Sequence, residues 1–383
     1  MQPRQSVRSS RIIVSLSAPA LIPIVIRFGR LGDMVLLSAL LNLLCRRFRA
    51  PCWLIGSGPW SEQLYRGQDD VARIWSLFGR HTPLLLGPTW WRVIWALQNS
   101  GMSPIYVCET SSSRALGRIS AMLRLAGVAP ERCVFLREAE ADPCEHRLDA
   151  LLRFGMQTPS AFRAKDYPCL NAAPAPCLKV PDEERLECAA WIRTQGWSER
   201  PIVLVQPGNR RTMRRRPWRR GQIDDKAWPL SKWSELLRCM QQNLPQAQIV
   251  LCGAKQELPL LRRIRLAAGL EKVVGLYLPL PRLIALCEVA SCMISVDTGP
   301  AHVAAAVGSP LIVLYGASSP RQWLPRGVRG SPVVALGGPP EARHVDDISV
   351  HSVFDAWRSL PVRTALFTAA QIGTDPEFTG DLC

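Results

Sequence analysis

Short uninterrupted apolar runs alternate along the chain with longer segments whose apolar positions recur every three to four residues. That alternation predicts strands and helices in turn. The first half opens with a strand at 22–27, a glycine loop through Phe28, Gly29, Arg30, Leu31, Gly32 and Asp33, and a helix at 34–48. Strands at 52–55 and 105–108, helical material around 90–97 and a helix at 122–127 with a glycine stop extend the pattern. Between residues 171 and 181 lie three prolines, which read as a linker rather than a packed element. The order then becomes more regular. Strands are predicted at 202–206, 248–252, 272–276, 293–296 and 311–315, with helices at 232–242, 257–268, 281–290, 301–307 and 350–360.

Regular βα alternation implies a parallel sheet with helices on both faces, and such a sheet binds ligands beyond the carboxyl ends of its strands. The expectation is an α/β protein of two Rossmann-like domains facing a central cleft. Its parts are an extension at 1–21, a first domain at 22–175, a second at 176–348, and a helix with a tail at 349–383.

Composition agrees with two cores of ordinary size, because 383 residues exceed what one usually holds, and 48% hydrophobic with 20% charged residues argues against extended disorder. Lys and Arg outnumber Asp and Glu by 47 to 31, a formal charge of +16, so the surface attracts anions: phosphates, nucleic acid or an acidic membrane face. The 13 cysteines form no C-x-x-C pair and the five histidines show no zinc spacing, so thiols in a reducing cytoplasm are expected. Arg4, Arg8 and Arg11 precede an apolar run at 12–26 that loosely mimics an export signal. Ser15, Ser17, Pro19 and Pro23 interrupt it and it leads into a strand, so export is not expected. No later stretch is long and apolar enough to span a bilayer.

The candidate chemistry centres on Asp297, Thr298, Gly299, Pro300, Ala301 and His302, which follow an apolar strand. Thr298 suits a helix cap, Gly299 lets backbone approach a ligand and Pro300 suits a first helical position. A helix starting there offers unpaired N–H groups and the positive end of its dipole to a diphosphate, to which His302 can also donate. A cap and a core histidine would satisfy the same residues without any ligand.

The run D-T-G-P-A-H-V-A-A-A-V-G-S-P resembles the signature of the ADP-heptose lipopolysaccharide heptosyltransferases, glycosyltransferase family 9. Gly32-Asp33 resembles that family's amino-terminal Gly-Asp loop. Lys226-Ala227-Trp228-Pro229 followed by Trp233 resembles its Lys-x-Trp-Pro element, and Gly253 to Glu257 its Gly-x-x-x-Glu turn. The resemblance runs from about residue 22 to about 360. It implies a GT-B fold with the nucleotide-sugar donor on the carboxyl-terminal domain and the acceptor on the amino-terminal one. The implied reaction is an inverting, metal-independent transfer of heptose or a related sugar from an ADP-sugar to a lipopolysaccharide core or similar polysaccharide or lipid-linked acceptor, without cofactor.

The residues suit that chemistry. No Asp-x-Asp pair is present to hold a divalent cation, so the leaving diphosphate would need protein charge, from Lys226 and the helix near Thr298. Asp33 is the candidate base for the acceptor hydroxyl. It also suits a helix cap, and a carboxylate that accepts several N–H bonds is a weaker base, so the two roles compete. Glu257 is placed to accept ribose hydroxyls, or simply to sit at a helix N-terminus. Lys226 suits a diphosphate as a point charge.

Seven arginines and a tryptophan within 209–223 lengthen a loop relative to the family. They suit phosphorylated core sugars or an anionic inner-membrane face. Non-specific nucleic-acid binding on an inactive scaffold is the alternative from another class, although one loop is not a basic stripe with interleaved aromatics and no specific nucleic acid is expected. A sugar-nucleotide epimerase of similar architecture is the nearer alternative.

Overall fold

The computed structural model describes residues 21–77, 87–109, 113–138, 142, 144–167, 169–209 and 226–361. Most of the amino-terminal extension, the arginine-rich loop beyond Asn209 and the tail from 362 lie outside the described residues.

The first domain runs β1 (Ile24–Arg27), α1 (Leu31–Phe48), β2 (Cys52–Ser57), α2 (Trp60–Tyr65), β3 (Val71–Leu77), α3 (Pro88–Gln98), β4 (Ile105–Val107), α4 (Ser113–Leu125), β5 (Cys133–Phe135) and α5 (Arg147–Gly155). The second runs α6 (Asp182–Thr194), β6 (Ile202–Gln206), α7 (Leu230–Asn243), β7 (Gln248–Gly253), α8 (Leu258–Ala268), β8 (Val273–Tyr277) and α9 (Leu280–Val289). It continues with β9 (Cys292–Val296), α10 (Gly299–Ala306), β10 (Leu311–Tyr315), α11 (Pro320–Trp323), β11 (Val333–Gly337) and α12 (Val350–Ser359).

Among the described residues the strands form two sheets, ordered β3-β2-β1-β4-β5 and β11-β10-β9-β6-β7-β8. Their pairings are parallel, as the alternation predicted. The central strands are buried throughout, because helices cover both faces, so they read as continuous apolar runs.

Helices α3 and α4 cover the outer face of the first sheet, burying Trp90, Val93, Ile94 and Leu97 with Leu116, Ile119 and Met122. On the outer face of the second sheet, α7, α8 and α12 bury Trp233, Leu236, Leu237, Ile264 and Val353. Between the sheets, side chains from α1, α2 and α5 merge with those of α6, α9 and α10 into one continuous apolar cluster. The two domains therefore share part of their core. In α10, Ala301 to Ala306 are all buried, because this short helix is wedged between its own sheet and α1. The alanines permit that close approach.

Three expectations need correction. Helix α1 begins at Leu31, so Gly32 and Asp33 lie in its first turn rather than in a loop. Asp33 Oδ2 accepts the Arg30 N–H at 3.0 Å, which favours the earlier start. The proline-rich segment at 171–181 is packed: Ala175, Leu178 and Val180 are buried, the Cys177 N–H donates to Ser38 Oγ at 3.1 Å, and the Leu178 N–H donates to the Ala306 carbonyl at 3.0 Å. Its prolines lack donors, so it packs by side chains and a few tertiary hydrogen bonds instead of a ladder. Strands β3, β5 and β11 were not foreseen. All three are sheet edges with exposed or half-buried positions, one of them is three residues long, and none shows a long apolar run.

Candidate active site

Beyond the carboxyl ends of both sheets lies a cleft of about 1180 Å³. Its amino-terminal wall includes Arg30, Leu31, Gly32, Asp33, Ser57 and Trp60. Its carboxyl-terminal wall includes Gln206, Lys226, Glu257, Tyr277, Asp297 and His302. All seven candidate positions named from sequence, with Gly32, line this one space.

Asp297 is the first residue beyond β9, and its N–H donates to the Leu314 carbonyl at 3.1 Å, so the ladder with β10 fixes where its side chain leaves the sheet. Its carboxylate forms an ion pair with the Lys226 ammonium, although 71 residues separate them. Thr298 is the extended residue before α10, but its hydroxyl makes no capping hydrogen bond, contrary to the expected cap, and Pro300 is the second helical residue rather than the first. Leucine and histidine side chains determine how the walls meet. A Cβ on Gly299 would lie 2.8 Å from Leu31 Cβ, and a Cβ on Gly32 would lie 2.9 Å from His302 Cδ2. The space left by Gly299 is therefore taken by Leu31 of the other domain, where a ligand had been expected. Each glycine admits a side chain from across the cleft.

His302 is buried, and its Nδ1 has no hydrogen-bond partner. Burial pushes its pKa below the ordinary histidine value, against the opposing pull of the Asp297 and Asp33 carboxylates. The ring is thus held neutral between two acids from different domains.

Asp33 faces the cleft with both oxygens occupied on their inner sides. Oδ1 pairs with Arg27 at 3.0 Å and Oδ2 accepts the Arg30 N–H. Arg27 also donates to the Cys108 carbonyl at the end of β4, so the carboxylate orientation is tied to the centre of the sheet. Glu257 ends a 3-10 turn before α8, and its Oε2 accepts the Ala254 N–H at 2.8 Å. This is the helix-start arrangement, with the carboxylate still at the cleft wall.

Residues 173–342 match glycosyltransferase family 9 (heptosyltransferase). The carboxyl-terminal domain is a glycosyltransferase family 9 domain. Over 103 residues the chain is 33% identical to lipopolysaccharide heptosyltransferase 3 of Escherichia coli strain K12, a match that covers 26% of this chain and 30% of that protein. The chain thus spans less than a third of the curated relatives it matches. Solved structures extend the likeness of fold. E. coli ADP-heptose lipopolysaccharide heptosyltransferase II is 20% identical, with 91% of this chain and 100% of that chain covered and a TM-score of 0.66. A family 9 glycosyltransferase from Veillonella parvula is 14% identical, with 88% and 96% covered and a TM-score of 0.68. The whole described chain therefore has the GT-B fold, with the family 9 domain as its second half.

Sequence reasoning did not find several residues of the cleft. Tyr277, Leu278, Pro279 and Leu280 continue from β8 into α9, and the Lys255 ammonium lies 5.0 Å from the Tyr277 ring centre. Gln206, at the carboxyl end of β6, donates to the Gly208 carbonyl at 3.2 Å. Trp60 and Gln63 come from α2, and Trp323 from α11. Each follows a strand at its carboxyl end, and that position was the one available signal.

Proposed function

We propose that this protein is an inverting, metal-independent glycosyltransferase that moves heptose or a related sugar from an ADP-sugar to a lipopolysaccharide core or similar lipid-linked acceptor, in the cytoplasm. The observation that carries the reading is the juxtaposition of Asp33 with the Lys226–Asp297 pair and the start of α10 on opposite walls of one cleft. Family 9 membership of the carboxyl-terminal domain supports the substrate class, as does its likeness to a lipopolysaccharide heptosyltransferase.

The parts divide the work as follows. Lys226 and the first N–H groups of α10 face the departing diphosphate and take up its charge. Tyr277, Leu278 and Pro279 offer an apolar wall for the base, and the Glu257 carboxylate accepts ribose hydroxyls. Asp33, held by Arg27 and the Arg30 N–H, accepts the proton of the acceptor hydroxyl as that oxygen attacks the anomeric carbon. The C–O bond to the diphosphate breaks on the opposite side. Neutral His302 packs against Gly32, spacing the base from the phosphate site.

Asp33→Asn keeps the size of the side chain and one acceptor oxygen, so only one of the two bonds that Asp33 accepts can survive. With ADP-heptose and a heptose-deficient lipopolysaccharide acceptor it should lower transfer by about 10²- to 10⁴-fold while ADP affinity stays unchanged. Transfer by the native protein should survive EDTA. Full transfer by Asp33→Asn would overturn the assignment of the base, and preference for UDP, GDP or CDP over ADP in a thermal-shift screen would overturn the donor.

A further inference from the structure

The outer face of the first domain carries an exposed aromatic and cationic surface that the cleft does not use. Trp91 and Trp95, one turn apart on α3, are 48% and 65% exposed, and Leu125 at the end of α4 is 50% exposed. Gln98 of α3 donates to the Leu125 carbonyl at 3.5 Å, so the two helices present these side chains as neighbours. Met102, in the turn after α3, is 56% exposed. The inner faces of both helices are filled by the sheet, through Trp90, Val93, Ile94, Ile119 and Met122, so the outer tryptophans do not serve that core.

Arginines outnumber acids on this surface, with Glu131, exposed in the turn packed against the end of α3, at its margin. From residue 88 to 129 the sequence holds four arginines (Arg92, Arg114, Arg118 and Arg124), and its one acid is Glu109. Glu109 is buried at the end of β4, where it accepts the Phe28 N–H at 3.3 Å. Arg92 and Arg124 are exposed beside Trp91, Trp95 and Leu125.

We infer that the outer face of α3 and α4 docks the protein on an anionic lipid bilayer. Tryptophan rings settle at the level of lipid headgroups, where an apolar body and a polar N–H are both satisfied. Arginines at the same level pair with acidic headgroups. Nucleic acid would be gripped by a groove of cations around stacking platforms, whereas these rings stand on the outer side of helix α3. The inference does not depend on the transfer reaction, because binding to lipid is measured without donor or acceptor. If both hold, the acceptor-side wall of the cleft belongs to the domain that sits on the membrane.

Vesicle co-sedimentation of the full chain tests it. Vesicles of phosphatidylglycerol and phosphatidylethanolamine should retain the protein, and phosphatidylcholine vesicles should not. Arg92→Gln with Arg124→Gln should weaken retention by about fivefold for each arginine removed. Trp91→Ala with Trp95→Ala should weaken it by about tenfold or more, with unchanged circular dichroism and melting temperature. Retention unchanged in both variants, or lost only when the arginines of 210–220 are replaced, would overturn the inference. So would a self-association in light scattering that the tryptophan variants abolish, or duplex DNA binding that tracks the same substitutions.

Discussion

The ion pair between Lys226 and Asp297 gives the sharpest test of the proposed donor site, because it ties the loop before α7 to the turn after β9. The Lys226 and Asp297 side chains are 26% and 12% exposed, so the pair is partly shielded from solvent screening. Lys226→Met removes the ammonium but keeps much of the stem. A hydrogen bond to a charged group contributes about 1.5–3 kcal/mol, equivalent to about 10- to 150-fold in affinity. The diphosphate must share the ammonium with Asp297, so the lower end applies, and ADP should bind about tenfold more weakly. The same change leaves a largely buried carboxylate without this cation, and stability should fall by about 1–3 kcal/mol. Asp297→Asn in the Lys226→Met background should restore most of that stability without restoring ADP affinity. Titration calorimetry with ADP and urea unfolding on the four proteins of the cycle separate the two effects. An ADP affinity within twofold of the native protein in Lys226→Met would refute the placement of the diphosphate, and strictly additive stabilities would refute the coupling.

Three further outcomes follow from named side chains. The folded-state pKa of His302 is lowered, so its protonation favours the unfolded chain. Its contribution to stability is intact above the ordinary histidine range and is lost as pH falls through that range towards the lowered value. The difference in unfolding free energy between native protein and His302→Gln should therefore shrink from pH 7.5 to pH 5. A pH-independent difference would show that the ring is not held neutral by burial. Arg326 holds Asp149 with two bonds of 2.7 and 2.6 Å, joining the loop after α11 to α5 of the other domain. Because both side chains are well exposed, Arg326→Ala should cost at most about 1 kcal/mol, yet small-angle scattering should show a larger radius of gyration. An unchanged radius would mean that the shared core alone sets the domain angle. Arg47 is 3% exposed and donates to the carbonyls of Gly155, Gln157 and Tyr167 and to Thr158 Oγ1. Arg47→Met should lower unfolding free energy by about 3–5 kcal/mol, because buried acceptors lose a charged donor. A loss below 1 kcal/mol would place water there instead.

The parallel architecture was readable because strands such as Ile202–Gln206 and Leu311–Tyr315 are covered on both faces and so appear as pure apolar runs. Asp297 to His302 was readable for a related reason: a polar cluster directly after such a strand lies at the ligand edge. Edge strand Val71–Leu77 lacked that signature, since Ala72 and Arg73 are exposed and no helix covers it fully. The apposition of Gly32 with His302 and of Gly299 with Leu31 was also invisible, because it joins residues about 270 apart whose contact depends on the domain angle. The linker misled for a physical reason. Proline richness reports missing donors, and it says nothing about whether the intervening Leu178 and Val180 find an apolar surface.

The reciprocal glycines bear on how freely this protein could exchange halves with its relatives. A chimera keeping residues 22–175 but taking its carboxyl-terminal half from another protein would meet the foreign domain at Leu31 and Gly32. The incoming half would need a residue without Cβ opposite Leu31 and a planar ring opposite Gly32. A Cβ at either glycine would wedge the first turns of α1 and α10 apart. Two pairs of residues thus act as a compatibility code between domains, and recombination that ignores it should give folded halves joined by a wider cleft.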